Sequence, residues 1–145
     1  MKKIISALIV LTTIFSASQA QLSRHQLFIP EKVRHAFSEK YPSATNVTWE
    51  KEKGNYEGNW GGKSGEDNSV QFAPDGTFVE IAKAIPVSHL PEAIKKYIAV
   101  HFKKNSRVTE ASEVTDASEK KFYEAEVNGK DIRFDKDGMF VGPEK

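Results

Sequence analysis

The residues able to do chemistry in this chain are few and poorly grouped. There is no Cys, which removes thiol nucleophiles, disulfides and a lipidated N-terminal Cys together. No Ser sits in a Gly-x-Ser-x-Gly turn of the kind that presents a serine nucleophile. Asp135-Lys136-Asp137-Gly138 has the opening of a calcium loop, but the Glu that closes such a loop has no counterpart, and a hairpin turn accounts for the run better. Gly61 to Gly65 carries no Lys-Ser in the Gly-x4-Gly-Lys frame, and no strand-to-helix passage follows it. Of the four histidines, His25 and His89 fall in connections and His35 on the outward side of a helix. His101 falls on an inward helical stripe. Its counterpart in an earlier copy of that stripe is Lys40, a swap that suits a helix end reaching solvent, where a cation complements the dipole. No catalytic residue, metal site or cofactor is expected from these groups.

What remains is architecture, and it is written twice. Pro30-Glu31 opens a stripe of Val33, Ala36, Phe37, Lys40 and Tyr41; Pro91-Glu92 opens another of Ile94, Tyr97, Ile98, His101 and Phe102. Further on, Phe72-Ala73-Pro74-Asp75-Gly76 is answered by Phe134-Asp135-Lys136-Asp137-Gly138, at offsets of 61 and 62 residues. Helical spacing marks each stripe as an amphipathic helix. Pro42 ends the first by disfavouring α geometry at Tyr41. The second is expected to close near Asn105, with Ser88 available as its cap and Pro91 in its first turn. After each helix the period becomes two. Val47 and Trp49 alternate with Thr48 and Glu50, Tyr56 and Trp60 with Glu57 and Asn59, Val70 and Phe72 with Ser69 and Gln71, as in antiparallel strands packed on one face and wet on the other.

The first 20 residues read as a targeting segment rather than structure. Lys2-Lys3 is followed by an apolar stretch from Ile4 to Phe15 and by Ser18-Gln19-Ala20, the layout of a secretory signal cleaved between Ala20 and Gln21. The stretch is short for a bilayer span, so no membrane span is expected after its removal. Residues 21–145 then form a single domain of two repeats, about 27–85 and 88–143. Each repeat of ~60 residues would be marginal alone, so a shared core is expected. Taking Lys2 and Lys3 from 21 basic residues leaves 19 against 20 acidic ones. That balance gives no footprint for nucleic acid.

Asn128-Gly129 predicts a two-residue type I′ hairpin. It sets Tyr123 opposite Phe134 and Ala125 opposite Ile132 on the face the helices cover. Glu124 meets Arg133 and Glu126 meets Asp131 on the open face, the first as a cross-strand ion pair worth about 1 kcal/mol or less. The Asp75-Gly76 and Asp137-Gly138 turns leave two options. A two-residue turn puts Phe78 and Phe140 outside, and a three-residue turn with a bulge brings them inward.

The order Pro-Glu-x-Val, Ala36-Phe37, Tyr41-Pro42-x-Ala44, Val47-x-Trp49-Glu50, Tyr56-Glu57 and Phe72-x-x-Asp75-Gly76, with Leu90-Pro91-Glu92 opening the second helix, resembles the PepSY-like, β-lactamase-inhibitor-like family. The resemblance covers roughly Leu27 to Val141. It implies an α+β fold of two tandem α-β4 repeats, one antiparallel sheet with helices on one face, a periplasmic or secreted location and a non-catalytic role. It also implies that the open sheet face and its loops grip a partner, an envelope or extracellular protein such as a peptidase. Alternation places Glu50, Glu57, Asn59 and Gln71 of the first repeat and Phe122, Glu124 and Arg133 of the second on that face. Phe122 stands out, because stability gives no evident reason for an aromatic there. The Gly61–Asn68 connection, where the second repeat has only Asn128-Gly129, reads either as a binding tip or as a slack insertion. The competing reading is an envelope carrier of a metal, haem or lipid, with Trp49, Tyr56, Trp60 and Phe72 lining a pocket instead of filling a core.

Overall fold

The computed structural model describes residues 27–102 and 106–143; the signal segment, the Ala20–Gln21 cleavage position, His25 and Asn105 lie outside them. The order is α1 (Glu31–Lys40), β1 (Thr48–Glu52), β2 (Asn55–Trp60), β3 (Asn68–Phe72) and β4 (Phe78–Ala84). A 3₁₀ turn (Val87–His89) leads into α2 (Glu92–His101), β5 (Val108–Asp116), β6 (Lys121–Val127), β7 (Asp131–Asp135) and β8 (Phe140–Pro143). The eight strands form one antiparallel meander in sequence order, so the two α-β4 repeats share a sheet.

Both helices start at a Pro-Glu pair, and neither has a side-chain cap. Pro30 and Pro91 sit at the cap position itself, in extended geometry, one residue earlier than expected. Their carbonyls accept from Arg34 (3.1 Å) and Lys95 (3.3 Å), while Glu31 and Glu92 complement the dipole in the first turn. Ser88 is held in the 3₁₀ turn, where its carbonyl accepts from Lys95 Nζ at 2.7 Å; that contact, not a hydroxyl cap, ties the turn to α2. The helix stops at His101.

The core is split. Val33 and Phe37 of α1 pack with Ile29, Tyr56, Val70 and Phe72. Ile94 and Ile98 of α2 pack with Leu90, Ala111, Ala125, Val127, Ile132 and Phe134. The expected common core is therefore corrected: an eight-stranded sheet is too wide for one helix, and each helix covers its own four strands. The repeats are joined instead by the β4–β5 ladder, from Glu80↔Asp116 to Ala84↔Ser112.

The repeated Asp-Gly turns resolve as three-residue loops. Ala73 N–H donates to Thr77 O and Asp135 N–H to Met139 O, both at 2.9 Å. The registers then shift so that Phe72 faces Phe78 and Phe134 faces Phe140. Both outer rings thus lie on the helix side, with centroids 6.0 and 6.2 Å from their partners. Lys40 Nζ sits 4.4 Å above Phe78; in the second repeat Tyr97 stacks between His101 (4.0 Å) and Phe140 (5.1 Å). The exposed position of His101 on its helix end matches the Lys40 comparison. Gly76 and Gly138 have φ of +88° and +81°, and a Cβ on either would come within 2.8 Å of Lys32 O or 2.9 Å of Ala93 Cβ. The Asp-Gly repeat thus encodes a turn that seats against the first turn of its helix.

Candidate functional site

Hairpin geometry builds the face opposite the helices. Asn128 and Gly129 adopt φ of 56° and 71°, and the pairs Tyr123↔Phe134, Ala125↔Ile132, Glu124↔Arg133 and Glu126↔Asp131 follow as the turn dictates. Carried across the sheet, the registers align Glu50↔Glu57↔Gln71↔Glu80 in the first repeat and Ser112↔Glu124↔Arg133 in the second, all on the uncovered side.

Two networks organise this face. In the first repeat, Asn59 Nδ2 donates to Glu50 at 2.9 Å and Gln71 Nε2 to Glu57 at 3.1 Å. Asn55 Nδ2 donates to the Gln71 side-chain oxygen, Oε1, at 3.3 Å. Asn59 is almost fully buried within the network, because a side-chain amide can satisfy neighbouring strands without a charge.

In the second repeat Arg133 takes the place of Gln71. Its Nε donates to Glu124 at 2.7 Å, and its two terminal nitrogens form a fork on Glu80 at 3.0 and 2.7 Å. The three side chains are only 13–16 % exposed. Burial works against the Arg133 charge, but the bonds to Glu80 and Glu124 outweigh it and raise its pKa. Glu80 belongs to β4 and Arg133 to β7, three strands away and in the row of Ala84 rather than of Glu80, so the two positions would be roughly 20 Å apart on a flat sheet. Closing that distance with two side chains curls the sheet toward this face and makes it concave.

Arg133 lies 5.3 Å from the Phe122 ring and Lys120 4.9 Å from it. Phe122 is 8 % exposed beside its cross-strand partner Val114, which is fully buried. Phe122 is thus on the open face, as alternation requires, but stability does explain it: the ring packs beneath the ion cluster. The isolated Glu124–Arg133 pair read from the sequence becomes a three-member network with Glu80.

The concavity is a cleft of about 630 Å³ whose lining runs from Glu50 on β1 to Asp131 at the start of β7. Glu50, Glu57, Asn59, Gln71 and Glu124 line it; Phe122 and Arg133 do not. Glu80, Glu126, Ala82, Ala84 and Ser112 line it too and were missed as site residues. Strand parity from Ile81 would have given Glu80, Ala82 and Ala84, whereas the Glu80–Arg133 contact depends on curvature. The Gly61–Asn68 connection contributes Ser64, Glu66 and Asp67 to the rim.

On the helix side, the aromatic group proposed as a pocket is packed solid. Phe37 meets Trp49 at 5.1 Å, Trp60 at 5.3 Å and Phe72 at 6.5 Å, Tyr41 meets Trp60 at 5.0 Å, and Trp49 lies across Gly58. Burial pushes the Tyr41 phenol pKa up. These rings fill a core. Among the described residues no three His, Asp or Glu are placed to hold a metal, and no helix is long and apolar enough to cross a membrane.

Residues 17–60 and 62–141 match the family profile described as beta-lactamase-inhibitor-like, PepSY-like. The chain belongs to this PepSY-like family. The break in the match falls at Gly61, where the long β2–β3 connection begins. Solved structures similar to this PepSY-like chain include a candidate periplasmic protein from Bacteroides eggerthii, at 20 % identity and TM-score 0.64 over 81 % of this chain and 89 % of that one. A BLIP-like protein from Bacteroides fragilis matches at 18 % identity and TM-score 0.58, over 83 % and 88 %. Both share the fold. Among curated protein sequences, none matches.

Proposed function

We propose that this chain is an exported, non-catalytic module that binds another protein through its concave sheet face, as an inhibitor or modulator of a peptidase or other envelope enzyme. The observation that carries this reading is a sheet face spanning both repeats and left uncovered by either helix, with a cleft of about 630 Å³ running along it. A sheet that needed only to fold would present a solvated outer face of alternating polar side chains. Here Arg133 and Glu80 hold it in a curl, and small residues occupy its centre. Supporting the location are the secretory layout of residues 1–20 and the family's kinship with periplasmic candidates. The absence of a nucleophile–base arrangement in the sequence supports a binding role over a catalytic one.

The test is a blocked face. Ala84→Trp, at an exposed floor position, should leave the thermal melt within a few degrees of the parent and abolish capture of the envelope partner in a crosslinking pull-down. Lys96→Trp, on the outer side of α2, should leave capture intact. Equal capture by both variants would count against the sheet face as the binding surface.

A further inference from the structure

We infer that the occupant of the cleft is a lysine- or arginine-bearing segment of another polypeptide, lying along a trough over β3, β4 and β5. This rests on the binding role proposed above and specifies the chemistry of the partner. The registers Ser69↔Ala82 and Ala84↔Ser112 put the smallest side chains of the face next to one another at its centre. Glu57 on β2 and Glu126 on β6 rise on either side. A floor of Ala and Ser between walls of Glu is a groove with room for backbone and reach for side-chain charges.

The charge distribution sets the sign of what enters. Among the described residues the cleft is lined by nine carboxylates and by no Lys or Arg, in a chain whose 21 basic residues nearly balance its 20 acidic ones. Two of the nine, Glu80 and Glu124, are matched by Arg133 beside the cleft. Glu50, Glu57, Glu66, Glu110 and Glu126 add a negative potential that low-dielectric walls concentrate within a concavity, attracting cations and repelling anionic segments. They are spread from β1 to β6 rather than gathered on one point. This suits several cations on a chain better than a single metal ion, which would need three or more converging ligands.

The long connection of the first repeat completes the trough. Ala84 N–H donates to Asp67 O at 2.9 Å, fastening the loop to the end of β4. Gly62 has a φ of +65°, which favours Gly, and a Cβ there would fall 2.0 Å from the Asp67 carboxylate and displace it. Glu66 and Asp67 are thereby presented at the lip. The second repeat, with its two-residue hairpin, has no equivalent, so this end wall belongs to the first repeat alone.

The experiment uses the full exported chain with a photo-crosslinking amino acid in place of Ser64, on the rim and clear of the floor, irradiated in the envelope, and mass mapping of the partner peptide it labels. The expected label lies on a segment with at least two more Lys and Arg than Asp and Glu. Glu57→Gln/Glu126→Gln in the same chain should lower the yield about 5–30-fold, the sum of two exposed charge contacts. Glu31→Gln/Glu39→Gln, on the outer side of α1, should not. A label on a neutral or acidic segment, or equal yields from the two double variants, overturns the cationic partner while leaving the binding face standing. No label from position 64 overturns both.

Discussion

Replacing Arg133 by Met should cost the fold about 2–4 kcal/mol. The substitution keeps much of the side chain's length and apolar stem, so the lost quantity is the charge and its hydrogen bonds. Arg133 contacts Glu80 at 3.0 and 2.7 Å and Glu124 at 2.7 Å. Removing it takes the compensating cation from two carboxylates that are only 13 % and 15 % exposed. Breaking a fully buried pair from one side costs about 3–5 kcal/mol; the residual exposure lets water screen part of this, which lowers the figure. Glu80→Gln should cost only about 1 kcal/mol, since an amide oxygen still accepts one bond and Glu124 still balances the guanidinium. The triple variant Glu80→Gln/Glu124→Gln/Arg133→Met should return to within about 1 kcal/mol of the parent, because no charge is then left unpaired. Urea unfolding of the chain from Gln21 onward reads each value as a shift in midpoint at unchanged slope, roughly 1–2 M for Arg133→Met. With its folded pKa raised, Arg133 contributes fully at neutral pH and is lost only as pH rises in strong alkali. A loss below ~0.5 kcal/mol for Arg133→Met, or a triple variant weaker than the single, would refute the clamp.

Phe72→Ala and Phe134→Ala each empty a fully enclosed site and should cost about 3–5 kcal/mol. Because the two rings lie in separate clusters, the costs should add within about 0.5 kcal/mol where the sum leaves a folded protein to measure. Gly138→Ala combines a left-handed φ with a contact at 2.9 Å and should cost more than Gly129→Ala, whose Cβ meets nothing; about 1–2 kcal/mol is expected for the latter, and thermal melts rank the two. Asp75 accepts from the Thr77 N–H at 2.9 Å, and that bond, with the Thr77 hydroxyl, lowers its pKa below 3.8. Its stabilising effect is therefore complete above that value and fades as pH falls through the folded pKa. A carboxyl titration by NMR should find the Asp75 midpoint below 3.8, and Thr77→Pro, which removes the donor, should move it back up.

Much of the fold was legible because turns and periodicity act locally. Asn128-Gly129 admits essentially one hairpin, so the pairing of Tyr123 with Phe134 and of Glu124 with Arg133 followed from two residues. Asp-Gly preceded by Pro or Lys admits two turn lengths, which local sequence does not separate; in the three-residue loop that forms, Gly76 and Gly138 rest on α1 and α2. The face of each site residue was legible too, from a period of two. Curvature was not. Alternation says that Phe122 and Arg133 point away from the helices, but it cannot say that the sheet curls until Arg133 reaches Glu80 and closes over Phe122. Nor does a strand pattern show that Ala82, Ala84 and Ser112 fall side by side, since that alignment arises only when β4 meets β5 across the repeat boundary.

Gln71 and Arg133 hold the same place in their repeats, and so do their ladder partners, Glu80 and Gly142. The acid of the clamp exists only in the first repeat and the base only in the second. Two copies of the first half would set carboxylate against amide, and two copies of the second would leave guanidinium groups without Glu80. Separately expressed halves, cut between residues 85 and 88, would therefore carry a chemical address for one another: the mixed pair is the one that can close the fork. The clamp is thus also an assembly code, by which a duplicated chain distinguishes its own two halves.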